Sequence, residues 1–353
     1  MANFIGKILG KKEPIRIGNL TSITGEFAYY AEWERRGIEL ALEEINGKGG
    51  INGQPVQIVR EDDQSDPVRS VEAINKLIRE DKIQAIIGPI SSDAVISDAP
   101  FVEKNKVVLM SAIAGAEGTS SGGGYIFKIF PNTDEEGKSL VMAASRRGNK
   151  TAAIIYINTA YGLGLTKTIR REAVGAGIEI VAVEGYKKGT ADFSGQLGRI
   201  KKQNPNTVFL LGYSNEMGHI LKQAREMGLA TDFFAPNSFE GPAIRAIAGS
   251  AAEGIVYVMP FDKFSKEFSE NFRKKYGHDP DFVDALNYDA VNLLALAIER
   301  GGYSGQAIKN ELFKLKDYPG ASGSITFDET GQAINRPLTL RVVKDGESVP
   351  YKQ

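Results

Sequence analysis

The chain of 353 residues has no cysteine, only two histidines and no excess of basic charge. Without cysteine there can be no disulfide, no thiolate chemistry, no Cys-ligated zinc and no lipid-carrying N-terminal cysteine in this chain. His219 and His278 lie far apart and match no metal-ligand spacing, so each reads as a surface or helix-end residue and neither points to a cofactor. Lys and Arg total 43 against 44 Asp and Glu, a formal net charge of −1, and their dispersal leaves no electrostatic footprint for nucleic acid. The opening MANFIGKILGKKEP has scattered lysines, but Gly6 and Lys7 break its apolar stretch. It is too short for a secretory core and far too short to span a bilayer. Two readings stand: a cytoplasmic protein, or an exported one whose signal was removed, with residues 1–13 a tag or linker.

What is present is a globular composition, 42% hydrophobic and 25% charged, on a chain longer than one hydrophobic core usually organises. Two domains are therefore expected. IRIGNL (15–20), VQIVRED (56–62), QAIIG (84–88) and VVLMSA (107–112) are short β-rich runs. Between them lie helical spacings such as Ile38, Leu42, Ile45 and Val71, Ile74, Ile78. Strand and helix in alternation imply βαβ units, a parallel sheet covered on both faces and right-handed crossovers. The order then recurs with TAAIIYI (151–157), IEIVAV (178–183), a helix carrying Phe193, Leu197 and Ile200, TVFLLG (207–212) and DFFAP (232–236). QAIIGPISSD and VFLLGYSNEM share one plan: apolar strand, glycine, polar turn, helix. The tail adds a long buried helix, DALNYDAVNLLALAIERGG (284–302), then GSITFDETGQ and RPLTLRVV, which read as a β-hairpin.

Open α/β sheets bind ligands beyond the carboxyl ends of their strands. The turns to inspect are therefore SITGEFAYYA, GPISSD, NTAYGLG, GYSNEM and APNSFEG. GPISSD lacks the second glycine of a nucleophile elbow, and neither histidine falls in a strand-end turn, so serine hydrolysis has no base. YGLG (161–164) lacks the third glycine and the distal acid of a dinucleotide site, and no GxxxxGK[ST] occurs. SSGGG (120–124) precedes a strand-like YIFKIF and reads as a surface loop. Asp62–Asp63 and Glu43–Glu44 read as solvated pairs.

What remains is a hydroxyl-rich helix start. A helix N-terminus offers unpaired N–H groups and partial positive charge, which suit a carboxylate, and Ser91 and Ser92 can add O–H donors. A plain helix cap by either serine is the competing reading. Tyr30, Tyr161 and Tyr213 each fall just past an expected strand and suit the lining of a pocket for an apolar body.

These residues resemble the type I periplasmic solute-binding proteins typified by the leucine/isoleucine/valine-binding protein. The resemblance runs from about residue 14 to the C-terminal hairpin. It rests on IGNLTSITGEFAYYAEWERRGIELALEEINGKGGINGQPV, IIGPISS, AYGLG, DFSGQLGRIKKQNPNTVFLLGY, NEMGHILKQAREMGL and AAEGIVYVMP. It implies two Rossmann-like α/β lobes with parallel sheets, joined by three crossover strands near 130–134, 259–262 and 336. Lobe 1 would be 14–132 and 261–335, lobe 2 133–260 and 336–353, with the ligand cleft between them. The implied function is the solute-binding component of an ABC importer, a monomer at the periplasmic or extracellular face of the cytoplasmic membrane, which closes on its solute and delivers it to a permease. It would be neither an enzyme nor a user of cofactors; a clamshell sensor regulating a protein partner is the alternative.

By position, the resemblance places a carboxylate clip at Ser92, Ile113 and Gly115, flanking aromatics at Tyr30 and Tyr161, and the amine receptor at Tyr213 and Asn237. Two departures stand out. Gly115 replaces the usual threonine, and Asn237 replaces the acid that pairs with an ammonium. A buried ammonium without a carboxylate partner loses charge compensation. The expected ligand is thus a small apolar or aromatic carboxylate, or a branched-chain amino acid whose amine is met by Glu240 or Asp93.

Overall fold

Strand β1 (Ile15–Thr21) is buried along nearly its whole length, as a central parallel strand covered on both faces must be. Helix α1 (Ala28–Gly47) leads to β2 (Val56–Asp62), whose mostly half-buried positions suit an edge. Then come α2 (Pro67–Arg79), β3 (Ala85–Ile87), α3 (Ser92–Asn105), β4 (Val108–Ser111) and β5 (Ile126–Lys128). Every pairing in this sheet is parallel, in the order β2-β1-β3-β4-β5. The order reverses between β1 and β3, which is where such sheets open a crevice. This computed structural model describes residues 13–116, 118, 124–212, 214–261 and 263–352, so the SSGGG loop and the first 12 residues lie essentially outside it.

The plan repeats with α4 (Thr133–Arg146), β6 (Thr151–Ile157), α5 (Ala160–Ala176), β7 (Glu179–Tyr186), α6 (Ser194–Gln203), β8 (Thr207–Leu211) and α7 (Ser214–Glu226). It continues through β9 (Asp232–Ala235), a short 3-10 helix (Asn237–Glu240), α8 (Pro242–Ala248) and β10 (Val256–Met259). The second sheet runs β7-β6-β8-β9-β10, the first sheet's order again. Its core packs Leu140, Val141 and Ala144 of α4 with Leu165 and Ile169 of α5 over Ile154, Phe209, Phe234 and Val258.

The remaining elements are α9 (Lys266–Tyr276), α10 (Phe282–Gly301), α11 (Gly305–Lys314), β11 (Tyr318–Gly320), β12 (Gly323–Ile325), β13 (Thr339–Lys344) and β14 (Glu347–Pro350). Packing divides the chain into two compact units. The first is Met1–Ala114, Gly118–Phe130 and Lys263–Asn335; the second is Gly115–Glu117, Pro131–Asp262 and Arg336–Gln353.

Helix α10 is buried nearly all round and packs along α1. Its start is fixed by a capping box in which Asp281 accepts from the backbone of the first turn and Asp284 reaches back to the Asp281 N–H at 2.7 Å. Asp284 also holds Arg36 through two bonds, at 2.9 and 3.0 Å. Asp281→Ala removes one half of the box and is expected to cost about 1 kcal/mol. The urea midpoint of the variant, at unchanged slope, checks this.

Two sequence expectations fail here. The tail segments GSITFDETGQ and RPLTLRVV do not pair with each other. The first supplies β12, which pairs antiparallel with β11; the second supplies β13, which joins β10 and β14 antiparallel in the second sheet. The tight turn of that second hairpin is Asp345–Gly346, both at positive φ, as a two-residue hairpin loop requires. Nor are both acidic pairs solvated. Asp63 is buried and accepts from Ser22 Oγ at 2.6 Å, while Glu44 accepts from Tyr288 Oη at 2.5 Å and Asn271 Nδ2 at 2.8 Å.

Candidate functional site

In the first unit the carboxyl edge of β3 and β4 carries the hydroxyl-rich turn. Gly88 turns the chain at φ +105° into a cis peptide with Pro89. Ser91 then caps α3, its Oγ accepting from Ala94 N at 3.1 Å, so the plain capping reading holds for this serine. Ser92 is buried and opens the helix, with Asp93 half-buried behind it. The neighbouring turn after β4 is closed by Ser111 Oγ, which accepts from Ala114 N at 3.3 Å, and it presents half-buried Ile113. Since β3 and β4 are adjacent parallel strands, Ser91, Ser92 and Ile113 share one edge of the sheet. Tyr30 is buried in the first turn of α1, stacked at 4.1 Å on Tyr29 and edge-on to Trp33 at 5.7 Å.

The loop between β1 and α1 is anchored rather than loose. Ser22 bonds Asp63, Thr24 Oγ1 donates to Asp62 at 2.7 Å, and Ser65 Oγ accepts from Phe27 N at 3.0 Å. These bonds fix where α1 begins and hence where Tyr30 stands.

In the second unit the structure brings Tyr161 and Asn237 together around a residue that the sequence reading passed over, Glu136. Thr159 caps α5 after β6 and so places Tyr161 in its first turn. Asn237 opens the 3-10 helix after β9, and Ser238 Oγ ties that helix to the end of β8 by donating to the Gly212 carbonyl at 2.7 Å. Gly212 has no room for a side chain, because an added Cβ would lie 1.8 Å from Tyr186 Oη.

Glu136, in the first turn of α4, is fully buried. Its Oε2 accepts from Tyr161 Oη at 3.1 Å; its Oε1 accepts from Asn237 N at 3.3 Å and from Asn237 Nδ2. Asn237 Nδ2 also lies 3.2 Å from Tyr161 Oη. All three donors are neutral, and among the described residues no Lys, Arg or His pairs with Glu136.

Burial pushes the Glu136 carboxyl up to about 7, against the pull of the Asn237 and Tyr161 bonds and with a further push from Glu135. Arg171 and Lys167 of α5 act on Asp134, also in the first turn of α4, and Arg147 at the other end of that helix pairs with Asp232 at 3.1 Å. Glu34 and Asp98 in the first unit are also raised to about 7 by burial. Both are bonded to strand or helix partners, Glu34 to Thr21 and Asn19 and Asp98 to Ser70.

The other sequence-derived positions fall as follows. Gly115 is buried and its carbonyl accepts from Thr133 N at 3.0 Å. Glu240 is committed to Tyr257 Oη, which also meets Ser348, so it is not part of the Glu136 cluster. Tyr213 lies outside the described residues. Among the described residues no group of acids and histidines could hold a metal ion, and no helix is long and apolar enough to cross a membrane.

Two α/β units of one topology, each with polar turn residues at its carboxyl edge, describe a binding protein for a small solute. The chain belongs to the periplasmic binding protein family, whose profile matches residues 14–347. It is 30% identical over 335 residues to the leucine-, isoleucine-, valine-, threonine- and alanine-binding protein of Pseudomonas aeruginosa, spanning 93% of this chain and 89% of that one. Among solved structures, a leucine-binding protein from Thermotoga maritima is similar with a TM-score of 0.90 at 27% identity, over 96% of this chain and 98% of that one. So is the substrate-binding protein of a branched-chain amino acid transporter from Streptococcus pneumoniae, in complex with isoleucine, with a TM-score of 0.87 at 28% identity over 95% and 97%. The family is one of solute-binding proteins, not enzymes, and none of these relatives is described as a sensor.

Proposed function

We propose that this chain is the solute-binding component of an ABC importer of the branched-chain amino acid type, acting at the periplasmic or outer face of the cytoplasmic membrane. The supporting observation is the near full-length similarity to the Pseudomonas aeruginosa protein, whose name describes binding of five aliphatic or small amino acids. In this reading 14–132 with 261–335 and 133–260 with 336–353 act as lobes. Ser92 and the N–H groups of α3, with Ser91, Ile113 and the Gly115 backbone, receive the solute carboxylate. Tyr30 and Tyr161 flank the apolar side chain, and Tyr213 and Asn237 stand where an amine would be received. Hinge closure follows because a solute that touches both lobes favours the closed form over the open one. No bond is made or broken, and the closed form is what a membrane permease recognises.

A thermal-shift screen of the purified, solute-stripped protein tests this. Aliphatic amino acids and shape-matched carboxylates at about a hundred times their dissociation constant are expected to stabilise the fold by about 2.7 kcal/mol. Silence from every member of both panels would refute the reading.

A further inference from the structure

We propose that Glu136 equips this site to receive a cationic group, by turning Asn237 into a hydrogen-bond acceptor backed by a buried negative charge. The inference rests on the solute-binding reading above and names its solute class: an α-amino acid, not an amine-free carboxylate.

The amide geometry carries the argument. A carboxylate accepts hydrogen bonds, so the Asn237 atom that meets Glu136 Oε1 is Nδ2, the donor end of the amide. The opposite end, Oδ1, therefore faces away from Glu136, and among the described residues no donor reaches it. Tyr161 donates its O–H to Glu136 Oε2 and accepts from Asn237 Nδ2 at 3.2 Å, so it helps hold the amide in that orientation. An asparagine without that carboxylate could turn its donor end toward the solute. With it, the amide presents oxygen.

The charge balance points the same way. Three neutral donors converge on one fully buried carboxyl with no cation beside it. A buried carboxylate in that state lacks its counter-ion, and an incoming ammonium is the group that supplies one. The neutral amide at position 237 thus does not leave the amine receptor without an acid. The acid stands one residue layer behind, on α4. Of the other candidates for that role, Glu240 is occupied by Tyr257. Glu136 is a positioning residue in this scheme, touching Asn237 and Tyr161.

The test uses L-leucine and 4-methylpentanoate, the same skeleton without the amine, titrated calorimetrically into the stripped protein at pH 8. The intact protein is expected to prefer leucine. Glu136→Gln is expected to weaken leucine by about 100-fold, the scale for neutralising one partner of a buried charge pair, while changing 4-methylpentanoate by less than about threefold. The transposed variant, Glu136→Gln with Asn237→Glu, returns a carboxylate to the cluster and is expected to recover leucine to within about tenfold. A purely structural role for Glu136 predicts instead that both ligands weaken together and that transposition does not help, and either result overturns the inference. So does an intact protein that binds 4-methylpentanoate as tightly as leucine, though the solute-binding reading then survives. If the intact protein binds no member of either panel, it is the solute-binding reading that fails, and this inference with it.

Discussion

Between pH 7 and pH 5 the affinity for a zwitterionic solute is expected to fall by about 25–50-fold, because half of Glu136 is ionised at its midpoint and about one part in a hundred two units below it. The sign follows from which form binds. Glu136 is held at about 7 by burial. An ammonium bound at Asn237 favours the ionised form, so the complex has a lower midpoint than the free protein. Binding below pH 7 therefore expels a proton, and affinity is greatest above pH 7. Simple aliphatic amino acids keep both charges throughout this window, so the change belongs to the protein. Titration calorimetry in buffers of differing ionisation enthalpy counts the released proton directly.

The solute-free protein should move in the opposite direction. A carboxyl whose folded midpoint is raised from about 4.5 to about 7 adds stability that is complete below the unfolded value and lost as pH rises through 7. Glu34 and Asp98 act in the same sense over the same window. The thermal midpoint of the free protein thus declines from pH 5.5 to pH 8, whereas the increment from a zwitterion grows. In Glu136→Gln the first trend becomes shallower and the second disappears. A ligand increment independent of pH would disprove the link between Glu136 and the solute.

The strands were legible because parallel strands buried on both faces must be short apolar runs, and QAIIG and TVFLLG could be little else. The repeated plan of strand, glycine, polar turn and helix marked the two units as alike, while the order of strands within each sheet came from the structure. The C-terminal hairpin misled because closeness in sequence was read as pairing. RPLTLRVV pairs with β10, some 80 residues earlier, while its true hairpin turn, Asp345–Gly346, was written in the sequence as an Asp-Gly step. Asp63 was read as solvated because its burial depends on the loop 22–27 folding down onto it, a tertiary event.

Glu136 was hidden by a plausible alternative. Acids in the first turn of a helix complement its dipole, and TDEEG reads that way at once. Yet Glu136, Leu140 and Ala143 fall on one stripe at i, i+4 and i+7, and the latter two are core. A carboxylate on the buried stripe of an amphipathic helix is costly unless partnered. That was the available signal. What no spacing could show is that the partners come from the turns after β6 and β9.

Gly88→Ala is expected to destabilise the protein by about 2–6 kcal/mol, the sum of a strained backbone and a forced shift of packed neighbours. The glycine has φ +105°, where L side chains are rarely found, and an added Cβ would lie 1.9 Å from the Leu20 carbonyl oxygen of β1. That contact is with backbone, so no rotamer change relieves it. Relief requires β1 and β3 to separate, and these are the two strands whose turns place Tyr30 and Ser92. The loss should therefore be felt in binding as well as in stability, with weaker affinity for any carboxylate, amine-bearing or not. Gly198→Ala is the matched control: Gly198 is inside α6, has nothing within 4 Å of the place a methyl group would take and no positive φ, so alanine there is expected to add about 0.5–1 kcal/mol. Urea unfolding of both variants separates the two cases. A Gly88→Ala protein as stable as the parent would mean that the β1–β3 edge tolerates a shift this packing does not allow, and the rigid turn proposed for the carboxylate would lose its basis.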